Sequence, residues 1–227
     1  KSEIIDFLTH LPAKERQERF HLGDLTVFED FPMLWAWFEE DAILTQKFGE
    51  ARLHTEENGD FKYRYLWDLL IERLALEYQK LSVEKGPGMA DASVIIEFSR
   101  GTEHGGYASA FRHFPTDILE RAGILYVNVS FEESLRKNRR RFNPNKPHSI
   151  LEHGLPDERL ENLYRGDDWL TLVDGKTQGY LELENSRVPY VIFENNDDVT
   201  TGKPQQLAER LEDCLDELAG LVNSRVQ

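Results

Sequence analysis

Three short runs of nearly uninterrupted apolar residues, "SVIIEF" (93–98), "GILYVNV" (123–129) and "VPYVIFE" (188–194), constrain the fold of this chain most. A strand with one wet face alternates apolar and polar residues, so runs this continuous read as strands covered on both faces. Helical patterns separate them: 107–122 lies before the second run, and 131–141 followed by 157–164 before the third. Strands alternating with helices require crossover connections, which predicts a mainly parallel sheet flanked by helices in a three-layer α/β arrangement.

The remaining segments fit around that sheet. A weaker strand spans 19–30, with a turn at Gly23-Asp24, and ends in the acidic pair Glu29-Asp30 before Phe31-Pro32. A helix-rich insertion covers 33–81, broken by the polar stretch "HTEENGD", and Leu66, Leu69, Leu70, Arg73 and Leu74 mark one side of its best helix. "EKGPGMAD" reads as an exposed loop. Leu207, Leu211, Leu215, Leu218 and Leu221 form the apolar row of a closing amphipathic helix. With 40% hydrophobic residues the 227-residue chain is expected to be a single domain, 1–227, with a real core.

Charge and cysteine content exclude several function classes. A formal net charge of −15 argues against general nucleic-acid or membrane-surface binding, both of which need a clustered cationic face. No apolar run approaches the ~20 residues of a membrane span. Cys214 is the only cysteine, so an internal disulfide and a cysteine-rich zinc site are both impossible, and a reducing cytoplasm is the expected location.

The first residues, "KSEIIDFLTH", place Lys1 and Ser2 at the start of a helix marked by Ile4, Ile5 and Leu8. A helix N-terminus has unpaired N–H groups and the positive end of the dipole, which favour an anion. Two readings follow from these residues: Ser2 is an ordinary N-cap, or Lys-Ser is the tail of a phosphate-binding loop, G-x-x-x-x-G-K-[ST]. On the second reading, the strand feeding that loop belongs near the centre of the sheet and is absent from these residues.

Strand ends supply further candidates, because ligands of open α/β sheets bind beside the carboxyl ends of the strands. Glu97 ends "SVIIE", where a carboxylate can hold the water shell of a hard cation or face an attacking group; its bland alternative is a polar strand end. Arg100 follows and can pair with it or with a phosphate. Asp30 can accept a proton from a substrate hydroxyl or cap the next helix, and a one-residue change of register exchanges it with Glu29. Asn195, Asn196, Asp197 and Asp198 follow the last strand. "SLRKNRRRFNPNKP" concentrates Arg136, Lys137, Arg139, Arg140 and Arg141, either a phosphate clamp or a solvated helix face. The histidines lack zinc-helix spacing, and Gly105-Gly106 in "SRGTEHGGY" is a turn that can border a substrate.

In order along the chain, Lys1-Ser2, "VFEDFP", "VIIEFSRG", "VNVSFEESLRKNRRRF" and "VPYVIFENNDD" resemble the P-loop kinase group of nucleoside, nucleotide and small-metabolite kinases. The resemblance implies a three-layer P-loop NTPase fold lacking its first strand here, with a substrate-side insertion at 33–81 and an arginine-rich lid at 136–165. It implies ATP and Mg²⁺ as cofactors and transfer of a phosphoryl group to a small hydroxyl- or phosphate-bearing acceptor. Lys1 would then contact the β/γ-phosphates, and Ser2 and Glu97 would serve the metal. Asp30, with Glu29 and Arg100 beside it, would engage the acceptor; Arg136, Arg140 and Arg141 would supply lid charge; Asn195, Asn196 and Asp197 would border the base. A P-loop NTPase switch and a kinase-like scaffold without turnover are the alternatives.

Overall fold

A computed structural model describes residues 1–141, 166–184 and 186–225. The expected helix at 157–164 and most of the 136–165 lid lie outside the described residues. In chain order, helices α1 (Ser2–His10) and α2 (Ala13–Phe20) precede strand β1 (Asp24–Glu29), and α3 (Asp30–Ile43) and α4 (Tyr65–Lys85) lead to β2 (Ala92–Glu97). Short helices α5 (Gly106–Arg112) and α6 (Thr116–Leu119) connect to β3 (Ile124–Asn128), which is followed by α7 (Phe131–Arg141). A turn of helix, α8 (Trp169–Leu172), then β4 (Gln178–Leu183), β5 (Ser186–Glu194) and the long α9 (Pro204–Arg225) complete the order.

The strands form a parallel β1–β2 pair and a separate three-stranded sheet ordered β3–β5–β4. In the latter β3 and β5 are parallel, while β4 runs antiparallel to β5. The general α/β expectation holds. The single mainly parallel sheet is corrected to two sheets, one carrying an antiparallel edge strand for which the sequence was given no counterpart.

Three boundaries also differ from expectation. The first strand begins at Asp24 rather than at position 19, because Arg19 and Phe20 finish α2 and His21 turns the chain in a left-handed conformation (φ 57°). Buried Arg16 fixes this corner by donating to the carbonyls of Leu8, Leu11 and Gly23. Asp30 does not end the strand but opens α3, so Pro32 falls in the first helical turn, where its missing N–H costs no hydrogen bond. Gly86–Ala90 in the expected loop coils into a short 3-10 helix.

Two apolar layers cover the strands. On one face Ile71 and Leu74 of α4, Tyr107 and Phe111 of α5, and Trp169 pack with Phe28, Ile96, Tyr126, Tyr190 and Ile192. On the other, Ile4 and Leu8 of α1 and Leu207, Leu211 and Leu215 of α9 pack with Leu25, Ile95, Leu125, Val127, Val191 and Phe193. Alternate residues of each strand thus enter opposite layers, as the period of two requires. Each layer reaches across both sheets. Among the described residues no strand pairing joins β2 to β3, and a cavity of about 1670 Å³ is lined by both strands.

The insertion has a small core of its own, Trp37, Leu66 and Leu70, with Phe61 and Trp67 beside it. Fully buried Asp41 ties the following loop to α3, accepting from the backbone N–H of Leu53 (2.6 Å), His54 (3.0 Å) and Thr55 (2.7 Å) and from the Thr55 hydroxyl (2.7 Å). Burial opposes its charge, but these donors prevail and hold its pKa down to about 2.

Leu211 is fully buried at the centre of the α9 face. Leu211→Ala is expected to lower unfolding free energy by about 2–5 kcal/mol in urea denaturation, with the slope of the transition unchanged.

Candidate functional site

The first turn of α1 stands at the carboxyl ends of the strands. Lys1 caps the helix without a side-chain capping bond, and α1 begins with Ser2, so the expected Ser2 N-cap is displaced by one residue. The Lys1 ammonium donates to the Phe98 carbonyl (3.0 Å) and pairs with the Glu97 carboxylate at the end of β2. Two residues on, Glu3 accepts from Lys137 Nζ (2.9 Å), Thr200 Oγ1 (2.6 Å) and Thr201 Oγ1 (2.9 Å). One helical turn therefore joins the end of β2 to α7 and to the loop after β5.

Beside Lys1 and Glu97 lies a second ion pair. Arg100 Nη1 donates to Asp30 Oδ2 (2.5 Å) and to the Ser99 carbonyl (2.6 Å), and Nη2 donates to the Trp67 carbonyl (3.1 Å). The Arg100 side chain is 1% exposed and lies over the rings of Trp67 and Phe98. Its Nε is buried with no hydrogen-bond partner among the described residues. Trp67 also packs against the His104 ring, with centroids 4.1 Å apart. Lys1, Glu29, Asp30, Glu97 and Arg100 all line the cavity that opens between β2 and β3.

The environments separate these acids. Burial opposes charge on Glu97, yet the adjoining Lys1 ammonium prevails and holds the carboxyl below its ordinary range. Burial raises the Asp30 carboxyl despite the Arg100 guanidinium, and burial together with Glu97 raises Glu29. Partial burial also works against the Lys1 ammonium, but Glu97, with Tyr107 and Asp30, lifts it above its usual value. The site therefore holds a firmly ionised Glu97–Lys1 pair next to a carboxylate with raised proton affinity, an arrangement that divides charge stabilisation from proton acceptance.

Glu29 and Asp30 are not register alternatives. The strand ends at Glu29 and the helix starts at Asp30, so the change of backbone direction brings both to the cavity. Ser2 lies on the same rim. The basic helix α7 presents its residues unequally. Arg136 pairs with Glu133 (2.7 Å) and with Asp198, Arg140 lines the cavity, and the side chain of Arg141 lies outside the described residues. Lys137, to which the sequence assigned no separate role, is the α7 cation that reaches α1, through Glu3, and it also pairs with Asp198 in the loop after β5 (3.0 Å). Its partner Glu3 is 134 residues away in sequence, and no local pattern announces such a pair.

The loop after β5 is internally braced. Asn195 is buried and exchanges hydrogen bonds with Thr200, Asn196 accepts from the Ser130 N–H (2.7 Å), and Asp197 takes a two-pronged bond from Arg210. At the glycine-rich turn, the Asp168 carboxylate accepts from the N–H groups of Tyr107 (2.7 Å) and Ala108 (3.0 Å) at the start of α5. A Cβ on Gly106 would lie 2.5 Å from that carboxylate, and the backbone there has φ +68°, so the position requires glycine twice over.

Among the described residues no group of three or more His, Cys, Asp or Glu forms a metal cage, and no helix is long and apolar enough to cross a membrane. Comparisons with protein-family models, curated proteins and solved structures return no match for this chain. Geometry and chemistry alone therefore carry the functional reading.

The His104 ring offers a direct check on this environment. Burial and the charges of Arg100 and Arg64 push its pKa down to about 4, outweighing the pull of Asp60. A folded pKa below the unfolded ~6.5 means that the unfolded chain binds the extra proton between these values. The His104 contribution to stability is expected to be complete above pH ~6.5 and lost as pH falls toward 4. An NMR titration showing His104 protonating near 6.5 contradicts the described packing.

Proposed function

We propose that this protein is a phosphotransferase of the P-loop kinase type, moving a phosphoryl group from ATP to a small hydroxyl- or phosphate-bearing acceptor. The observation that carries the proposal is the assembly at one strand edge: Lys1 at the N-terminus of α1 in contact with Glu97, with the buried Asp30–Arg100 pair beside them. Phosphoryl transfer asks a protein mainly for positioning and for fixed charge around the transferring group. In this reading Lys1 and the first N–H groups of α1 hold phosphate oxygens.

Bound Mg²⁺ would neutralise phosphate charge. It is held by few protein ligands and keeps several waters, so the Ser2 hydroxyl and the Glu97 carboxylate are a sufficient donor set alongside the phosphates. Asp30 accepts the proton of the acceptor hydroxyl, for which its raised proton affinity suits it, and Arg100 orients the carboxylate. Glu29 and the Trp67 wall border the acceptor. Arg140 and Arg141 add positive charge from the lid side, Arg136 supports them through Asp198, and the loop at Asn195, Asn196 and Asp197 borders the base.

Calorimetric titration with Mg-ATP tests the first contact: Lys1→Ala is expected to weaken binding roughly tenfold or more, as loss of a charge-assisted phosphate contact requires. In an acceptor screen scored by phosphate transfer, Asp30→Asn is expected to lower kcat about 10²–10⁴-fold while ATP affinity is kept. Wild-type kcat is expected to rise with pH through an apparent pKa above the usual aspartate value, because protonated Asp30 cannot accept the hydroxyl proton. Undiminished ATP affinity in the lysine variant refutes the phosphate assignment. Phosphate release that outpaces transfer to every acceptor identifies an NTPase instead.

A further inference from the structure

We propose that Lys137 is a positioning residue. Through Glu3, Thr200 and Asp198 it locks the first turn of α1 to the loop after β5, so that the two sides of the site hold one ligand at a fixed spacing. What those sides bind, phosphate at α1 and a base at the loop, rests on the phosphotransferase reading. The coupling between them does not.

An ammonium offers three N–H donors and no acceptor. Lys137 Nζ donates to Glu3 Oε2 (2.9 Å) and to Thr200 Oγ1 (2.6 Å), and its remaining side faces Asp198 Oδ1 at 3.0 Å. Lys137 lines the cavity as Arg140 does, yet its ammonium is already engaged by protein oxygens on every side. A cation that clamps phosphate needs donors turned to the ligand. The basic helix α7 is therefore divided: Arg136 and Lys137 both turn to Asp198, whereas Arg140 lines the cavity.

The hydroxyl of Thr200 is saturated in the same way. A hydroxyl has one hydrogen and two lone pairs. Thr200 Oγ1 donates to Glu3 Oε2 (2.6 Å) and accepts from Lys137 and from Asn195 Nδ2 (3.0 Å), which uses all of them. The other oxygen of Glu3 accepts from Thr201 Oγ1 (2.9 Å). Burial opposes charge on Glu3, but the bonds from Thr200, Lys137 and Thr201 prevail and hold its carboxyl below the ordinary range. Thr200 and Asn195 are buried, so a partner lost here is poorly replaced by water.

The network joins segments 197 residues apart in sequence. On one side, Glu3 lies in the turn whose Ile4 and Ile5 N–H groups bond back to the Lys1 carbonyl (2.9 and 3.1 Å), so holding Glu3 holds the backbone that carries Lys1. On the other, the Asn195 N–H donates to the Asn128 carbonyl at the end of β3 (2.9 Å). Asp198 has a left-handed backbone (φ 53°), uncommon outside glycine, and Arg136 and Lys137 pin its carboxylate. An enclosed ion pair adds little stability by itself, because desolvation offsets its attraction. Its product here is a fixed distance between two binding segments.

Calorimetry on the wild-type protein, Lys137→Met and Thr200→Val tests the coupling, with Mg-ATP and magnesium tripolyphosphate as probes. ATP spans both sides of the site, and tripolyphosphate touches only the α1 side. Both variants are expected to weaken ATP binding roughly tenfold and to leave tripolyphosphate within about twofold, because only the linked ligand depends on the spacing. Amide exchange in the ligand-free protein needs no nucleotide: the Ile4, Ile5, Asn195 and Thr200 N–H groups are expected to exchange about tenfold faster, together, in Lys137→Met. If Lys137→Met does not fold, Thr200→Val, which keeps the shape and removes the shared oxygen, gives both readings. Equal loss of ATP and tripolyphosphate affinity in Lys137→Met overturns the proposal, because Lys137 then holds phosphate itself. Unchanged ATP affinity, or faster exchange confined to α7, also overturns it. A wild-type protein that binds neither probe refutes the phosphotransferase reading, and the exchange result then decides the coupling alone.

Discussion

Two apolar layers, rather than one continuous ladder of strand hydrogen bonds, hold this molecule together. Among the described residues the β1–β2 pair and the β3–β5–β4 sheet share no strand pairing, yet each layer contains residues from both. The hydrophobic effect is non-directional and needs only that apolar area leave water, so helices can span a break that backbone bonds cannot. α4, α5 and α6 do so on one face and α1 and α9 on the other. The positions of Glu97, Asp30 and the loop after β5 all follow from this bridging, since they sit at strand ends that the layers bring into alignment.

The charges at that edge are costly in the way a working site is costly. Arg100 and Asp30 are withdrawn from water, and the desolvation of such a pair commonly consumes its Coulomb gain. A hydrophobic pair would fill the same volume with less electrostatic cost. The surrounding chain reduces the cost locally with carbonyls of Ser99 and Trp67 and with two aromatic faces under the guanidinium. In a protein of net charge −15, Lys1 and Arg100 are each held at this edge by a carboxylate, Glu97 and Asp30.

What could be read from the sequence was local. The continuous runs of β2, β3 and β5 declared doubly covered strands, and the leucine spacing of α9 declared its buried face, because period and apolarity are properties of neighbouring residues. Glu97 was legible as a strand end for the same reason. β4 was not, since "QGYLEL" alternates only weakly and owes its place to pairing with β5 across the chain reversal after Leu183. Asp30 was legible as a candidate and as a cap of the helix near Pro32, one residue from its observed place as the first residue of that helix. The Lys137–Glu3 pair and the Asp168 cap of α5 are products of tertiary folding and leave no local pattern.

The split sheet gives these separate observations a common cause. Parallel strands are the form least suited to an open edge, because they occur with helices on both faces and their pairing is satisfied only within the sheet. An antiparallel edge strand such as β4 can close the outer side of β5, which accounts for one end of the three-stranded sheet. Among the described residues the inner edges of β2 and β3 have no such closure, and they line the same cavity as Lys1, Glu97 and Asp30. The spacing of the cations and carboxylates at this edge is therefore set by the apolar layers that span the two sheets.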